Sequence, residues 1–172
     1  AQPAGRMGVM ELARAQQPAA APEIRVTRIL LPTDFSPGAE PAARWAAALS
    51  RAFGAELILL HVLDLSLAGL AGLPTQVAMM PAVDELIDRV RAETAEEMAR
   101  LRARFPQART MVREGAPRPM ILQVAAEVKA DLIVMGTHGR TGLAHVLFGS
   151  VAEHVVRHSR IPILTVREAE SQ

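Results

Sequence analysis

The stretch LIVMGTHGRTGLAHVLFGS, residues 132–150, decides how the chain folds. Its apolar opening, Leu132-Ile133-Val134-Met135, reads as a strand buried on both faces. Glycines follow at 136, 139, 142 and 149, and the last precedes Ser150. Glycine loses more conformational freedom on folding than any other residue, so this density asks for backbone that bends unusually or lies against something. Gly136 and Gly139 are expected to turn the chain sharply off the strand, and Gly149-Ser150 to open a last helix ending at His158. A helix N-terminus carries unbonded N–H groups and the positive end of the dipole, which favour an anion, and Ser150 adds a hydroxyl donor. His138 and Arg140, in the loop between these walls, are placed to contact a phosphate chain. The spacing is neither G-x-x-x-x-G-K-[ST], since no Lys precedes Ser150, nor the G-x-G-x-x-G of dinucleotide sites.

Working outward, strands and helices alternate. Residues 26–31 are β-branched and apolar, a buried strand closed by Pro32. Ser36 and Pro37 suit the N-cap and first position of a helix whose face is Ala42, Trp45, Ala46, Leu49 and Phe53, with Trp45 and Phe53 assigned to the core and Gly54 as C-cap. Residues 57–63 form a second central strand, and 65–80 a loose connection. A charged helix over 84–105, stopped by Pro106, carries an inward stripe of Leu86, Ile87, Val90, Thr94, Met98 and Leu101. A strand over 110–113, a helix over 119–129 with Ile121, Leu122, Ala125 and Val128 inward, and strands over 131–135 and 162–166 complete the pattern. Five strands separated by helices imply an α/β fold: a doubly wound five-stranded parallel sheet with helices on both faces, Rossmann-like. Ligands of such sheets sit beyond the carboxyl ends of the strands where the winding reverses. The residues there are Pro32-Thr33-Asp34-Phe35-Ser36, His61-Val62-Leu63-Asp64 and the glycine stretch.

The 172 residues, 50% hydrophobic and 22% charged, suit one globular domain. A net charge of +1, 3% aromatic residues and no Tyr give no case for nucleic acid as a partner. Cysteine is absent, which removes thiol nucleophiles and disulfides and fits a cytoplasmic protein. The most apolar segment, 65–83, is interrupted by Ser66, Pro74, Thr75, Gln76 and Pro81, so no membrane span is expected. Residues 1–23, rich in Ala, Pro and Gln, lack the h-region of a signal peptide and are expected to be a tail outside a domain at 24–168, with 169–172 as a C-terminal tail. His154 and His158 stand i, i+4 as metal pairs can, but without an evident third ligand they read as solvent- or partner-facing.

Three separated motifs now carry a resemblance. Gly136-x-x-Gly139, nine residues, then Gly149-Ser150, with ILLPTDFS at 29–36, LILLHVLD at 57–64 and GSVAEHVVRHSRIPILTV at 149–166, resembles the universal stress protein family in its ATP-binding branch over 25–168. The resemblance implies an adenine nucleotide α-hydrolase-like fold that takes ATP or AMP, with Mg2+ accompanying ATP. It implies that Asp34 and Val62 line the adenosine part, Val62 against the base, and that Met135 and Gly136 pass beside the ribose. Gly139, Gly149, Ser150 and Val151 would hold the phosphates, while Pro32 and Thr33 shape the first wall. It also implies a homodimer through the last strand, 162–166, and an unknown regulatory protein partner. The function expected is a nucleotide-dependent stress-response switch. No catalytic base is assignable, so at most slow ATP hydrolysis or self-phosphorylation is expected. An adenylate-forming enzyme on the same topology would need an SGGxDS-like loop where this chain has PTDFSPG, and a dimerisation module with an empty site is the remaining alternative.

Overall fold

The computed structural model describes residues 24–66, 83–137 and 148–167. Strands β1 (Arg28–Pro32), β2 (Glu56–Leu63), β3 (Arg109–Glu114), β4 (Leu132–Gly136) and β5 (Ile163–Val166) make one parallel sheet in the order β3-β2-β1-β4-β5. The chain travels outward from β1 to β3, then returns to the other side of β1 for β4 and β5. The winding therefore reverses between β1 and β4. Helices α1 (Glu40–Phe53) and α2 (Val83–Arg104) cover one face, and α3 (Pro117–Glu127) and α4 (Ser150–His158) the other. This is the expected doubly wound sheet. The inner strands lack polar alternation because both faces are dry: Ile29, Leu31, Leu57, Leu59 and Val134 pack under α1 and α2, and Leu30, Ile58, Leu60, Ile133 and Met135 under α3 and α4. Among the described residues no helix is long and apolar enough to cross a membrane.

Several local expectations are corrected. Trp45 and Phe53 are not core: they are 55% and 54% exposed. The buried stripe of α1 is Ala42, Ala43, Ala46 and Ala47. At 3.6 residues per turn Trp45 lies about 130° round the helix from the middle of that stripe. Phe53 occupies the last turn, beyond Ala47, where Gly54 ends the helix in the left-handed region (φ 65°). Ser36 does not cap α1: a short 3-10 turn, Pro37–Ala39, intervenes, and the Ser36 hydroxyl points back to Asp34. Strand β1 begins at Arg28 rather than 26 and has Pro32 as its last residue, and α3 begins at Pro117, not 119, with Pro at its first position. Along α2, Thr94, Met98 and Leu101 are buried, while Leu86, Ile87 and Val90 are half-buried.

The amino ends of β1 and β4 are tied by one carboxylate. Asp131 Oδ2 accepts the Thr27 N–H at 2.7 Å, the Thr27 hydroxyl at 2.7 Å and the Arg28 N–H at 2.9 Å. Arg104, in the last turn of α2, pairs with Glu40 in the first turn of α1 at 2.9 Å, each charge complementing the dipole of its own helix.

Candidate functional site

The carboxyl ends of β1 and β4 bound a cleft of about 940 Å³, closed at the sides by the end of β2, by α2 and by the amino ends of α3 and α4. Its first wall is the turn after β1. Thr33 extends the ladder by one bond, its N–H donating to the Leu60 carbonyl at 2.8 Å. The Phe35 N–H donates to Thr33 Oγ1 at 3.1 Å, and Asp34 Oδ1 accepts the Ser36 N–H at 3.0 Å and the Ser36 hydroxyl at 2.6 Å. Asp and Thr side chains thus close the turn on the backbone. Phe35 pivots it at φ 62°, a left-handed conformation that a bulky residue seldom adopts. What offsets that strain is the Phe35 ring, stacked on the His61 imidazole at 4.4 Å between centroids. His61 is 5% exposed, and its Nδ1 lies 2.8 Å from the Thr33 carbonyl. A carbonyl only accepts, so Nδ1 carries the proton.

The second wall follows β4. Gly136 does not turn the chain: it is the last strand residue, paired with Val166. Buried Thr137 comes next, donating its N–H to the Val166 carbonyl at 3.1 Å and accepting the Gly149 N–H at 2.7 Å. The approach to α4 is thereby fastened to the end of β4. Gly149 is the N-cap at φ −68°, ψ 156°, extended backbone open to any residue, so its torsions do not require glycine. Gly149 offers no side chain to cap α4, and Gly149, Ser150 and Val151 at its amino end line the cleft.

Of the residues singled out in the sequence, Pro32, Thr33, Asp34, Val62, Met135, Gly136, Gly149, Ser150 and Val151 all line this one cleft. His138, Gly139 and Arg140 lie outside the described residues. Thr94, Glu93 and Glu97 of α2 also line it, the last paired with Arg100 at 2.6 Å. His154 and His158 do not. Their rings stack at 4.2 Å, the His158 Nδ1 donates to the His154 carbonyl at 2.8 Å, and desolvation, then His158 and Arg118, lower the His154 pKa. No group of three metal-ligating side chains occurs among the described residues.

Sequence reasoning placed Phe35, His61 and Thr137 in the strand-end segments but gave them no role. For His61 a signal existed: it is the one polar residue inside the buried run LILLHVL. The conformation of Phe35 and the pairing of Thr137 depend on contacts far along the chain and leave no local mark.

Residues 25–167 match the model of the universal stress protein family. The universal stress protein MJ0531 of Methanocaldococcus jannaschii is 34% identical over 84% of this chain and 84% of its own length. MJ0577 of the same organism is 33% identical over 84% of this chain and 96% of its own, and its solved structure superposes with a TM-score of 0.73, covering 86% of this chain and 100% of that one at 30% identity. The structure of the universal stress protein UspA of Lactobacillus plantarum gives a TM-score of 0.69 at 30% identity, over 84% of this chain and 100% of that one.

Proposed function

The chain belongs to the universal stress protein family, and from that membership we propose that it binds an adenine nucleotide, ATP or AMP, in the cleft between β1 and β4 and acts as a nucleotide-dependent stress-response switch. The observation that carries this reading is the amino end of α4, whose N-cap Gly149 carries no side chain, set across the cleft from the turn after β1. Helix-end N–H groups with the Ser150 hydroxyl suit a polyanion, and each charge-assisted hydrogen bond of this kind is worth about twice a neutral one. In this reading the phosphates lie against Gly149, Ser150 and Val151, and the base and ribose lie between Thr33, Asp34 and Val62. Gly139, with His138 and Arg140, would complete the phosphate side. Mg2+ arrives as the nucleotide's own chelate, supplying countercharge to the phosphates. The cleft volume falls within the range of sites that enclose ligands of this size.

Binding is favoured over turnover. Phosphoryl transfer needs a group that positions or deprotonates the nucleophile. Of the cleft's carboxylates, Asp34 already spends one oxygen closing its own turn, and Glu96 and Glu97 pair with Arg100. Mass analysis of the small molecules released when freshly purified protein is denatured is expected to find ATP or AMP. Their absence, together with no calorimetric heat on adding MgATP or AMP, would overturn the reading.

A further inference from the structure

We propose that His61 is the positioning residue of the nucleotide site: it claims the Thr33 carbonyl and so keeps the main chain of Val62 available to the base. The inference rests on the nucleotide reading and concerns how the adenosine end is held open.

The register of β1 and β2 sets up the problem. Pro32 pairs with Leu60, and the Thr33 N–H donates to the Leu60 carbonyl at 2.8 Å. In a parallel ladder the next bond in line would run from the Val62 N–H to the Thr33 carbonyl. Such a bond would zip β1 to β2 across the mouth of the cleft and consume the Val62 amide. Instead the Thr33 carbonyl takes its proton from His61 Nδ1 at 2.8 Å. The imidazole reaches that carbonyl from the neighbouring position on the same strand, so the acceptor is satisfied without the strand amide. Val62, the next residue, lines the cleft. The same ring stacks on Phe35, the left-handed residue of the turn, at an interplanar angle of 26°. One side chain therefore ends the ladder, satisfies the carbonyl left over and braces the turn. Though only 5% exposed, it lines the cleft beside Val62, with Nδ1 committed to the Thr33 carbonyl.

Two substitutions divide the donor from the ring. His61→Phe keeps an aromatic face for Phe35 and removes the N–H, whereas His61→Asn places an amide N–H near the position of Nδ1 and removes the ring. Binding of MgATP and of AMP is measured by calorimetry, below the thermal transition of each folded variant. His61→Phe is expected to weaken both ligands by about tenfold, and equally, since the loss falls on adenosine and not on the phosphates. His61→Asn is expected to recover most of that loss. His61→Leu serves as the donor-free variant should Phe not be accommodated. Unmodified protein that binds neither ligand would overturn the nucleotide reading and this role with it. If the unmodified protein binds and the folded donor-free variant binds equally well, only the role of His61 falls. A deficit confined to ATP, or one that Asn does not relieve, would likewise overturn it.

Discussion

Asp131 gathers three donors on one oxygen at the amino end of the sheet, and its pH dependence follows from that geometry. The Thr27 hydroxyl first, then the Thr27 and Arg28 N–H groups, hold its carboxyl below the usual value for an aspartate, against a small opposing effect of burial. Because the folded state favours the charged form, the contribution is complete above the unfolded pKa of about 3.9 and is lost as pH falls through the lower folded value. Asp131→Asn is therefore expected to lower stability by about 1–3 kcal/mol near neutral pH, with the gap closing below about pH 4. Urea unfolding across that range checks it, and a gap that persists in acid would mean that shape rather than charge is at stake. Trp45 teaches the opposite lesson about legibility. An aromatic at helical spacing resembles core, yet four alanines take the sheet-facing stripe, and which of two overlapping stripes turns inward is settled by packing that no local pattern records.

Among the elements, α4 is the one whose end the proposed nucleotide site would use for the phosphates. Its N-cap torsions suit any residue, so Gly149→Val is expected to fold with little loss of stability while its side chain crowds the amides at the phosphate side. MgATP should bind about tenfold more weakly, the worth of one charge-assisted hydrogen bond, and AMP should suffer less. Calorimetry that finds ATP affinity unchanged in the folded variant would move the phosphates elsewhere. The strands and helices were legible because burial imposes their periods on the sequence: two dry faces on β1, β2 and β4, and one on α2. The strand-end residues were legible as well, since the topology assigns them to one side of the sheet. Less was legible where an element meets a partner distant in sequence. Gly136 looks like a turn glycine but extends β4 because Val166 pairs with it, and Ser36 looks like a cap but serves the Asp34 turn.

For the whole molecule, the two edges of the sheet differ in kind. Edge strand β3 carries Arg109, Arg113 and Glu114, the last two paired with Glu127 and Arg91. Charges of this sort discourage a second strand from pairing. Edge strand β5 reads Ile-Leu-Thr-Val, uncharged and half-buried throughout, and among the described residues it pairs with β4 alone. The carbonyls of Pro162 and Val166 accept from β4-side amides, so by alternation the main-chain groups of Ile163 and Thr165 point outward. We propose a homodimer in which two copies of this edge pair about a two-fold axis. Thr165→Pro removes an outward donor and leaves the β4 ladder whole, so the variant is expected to fold as a monomer. Light scattering checks both proteins, and an unmodified chain that stays monomeric at high micromolar concentration would exclude the interface.

The central position of β1 has a consequence for how the protein is made. Strand β1 waits for a partner, β4, that follows about a hundred residues later, as the bond from Thr27 to Asp131 spans 104 positions. Contacts of such separation form late, because closing the long intervening loop comes before any reward. Until β4 is made, the nascent chain therefore holds a half-sheet with one flank of β1 bare. The cleft gains its second wall only when β4 and α4 have joined the sheet.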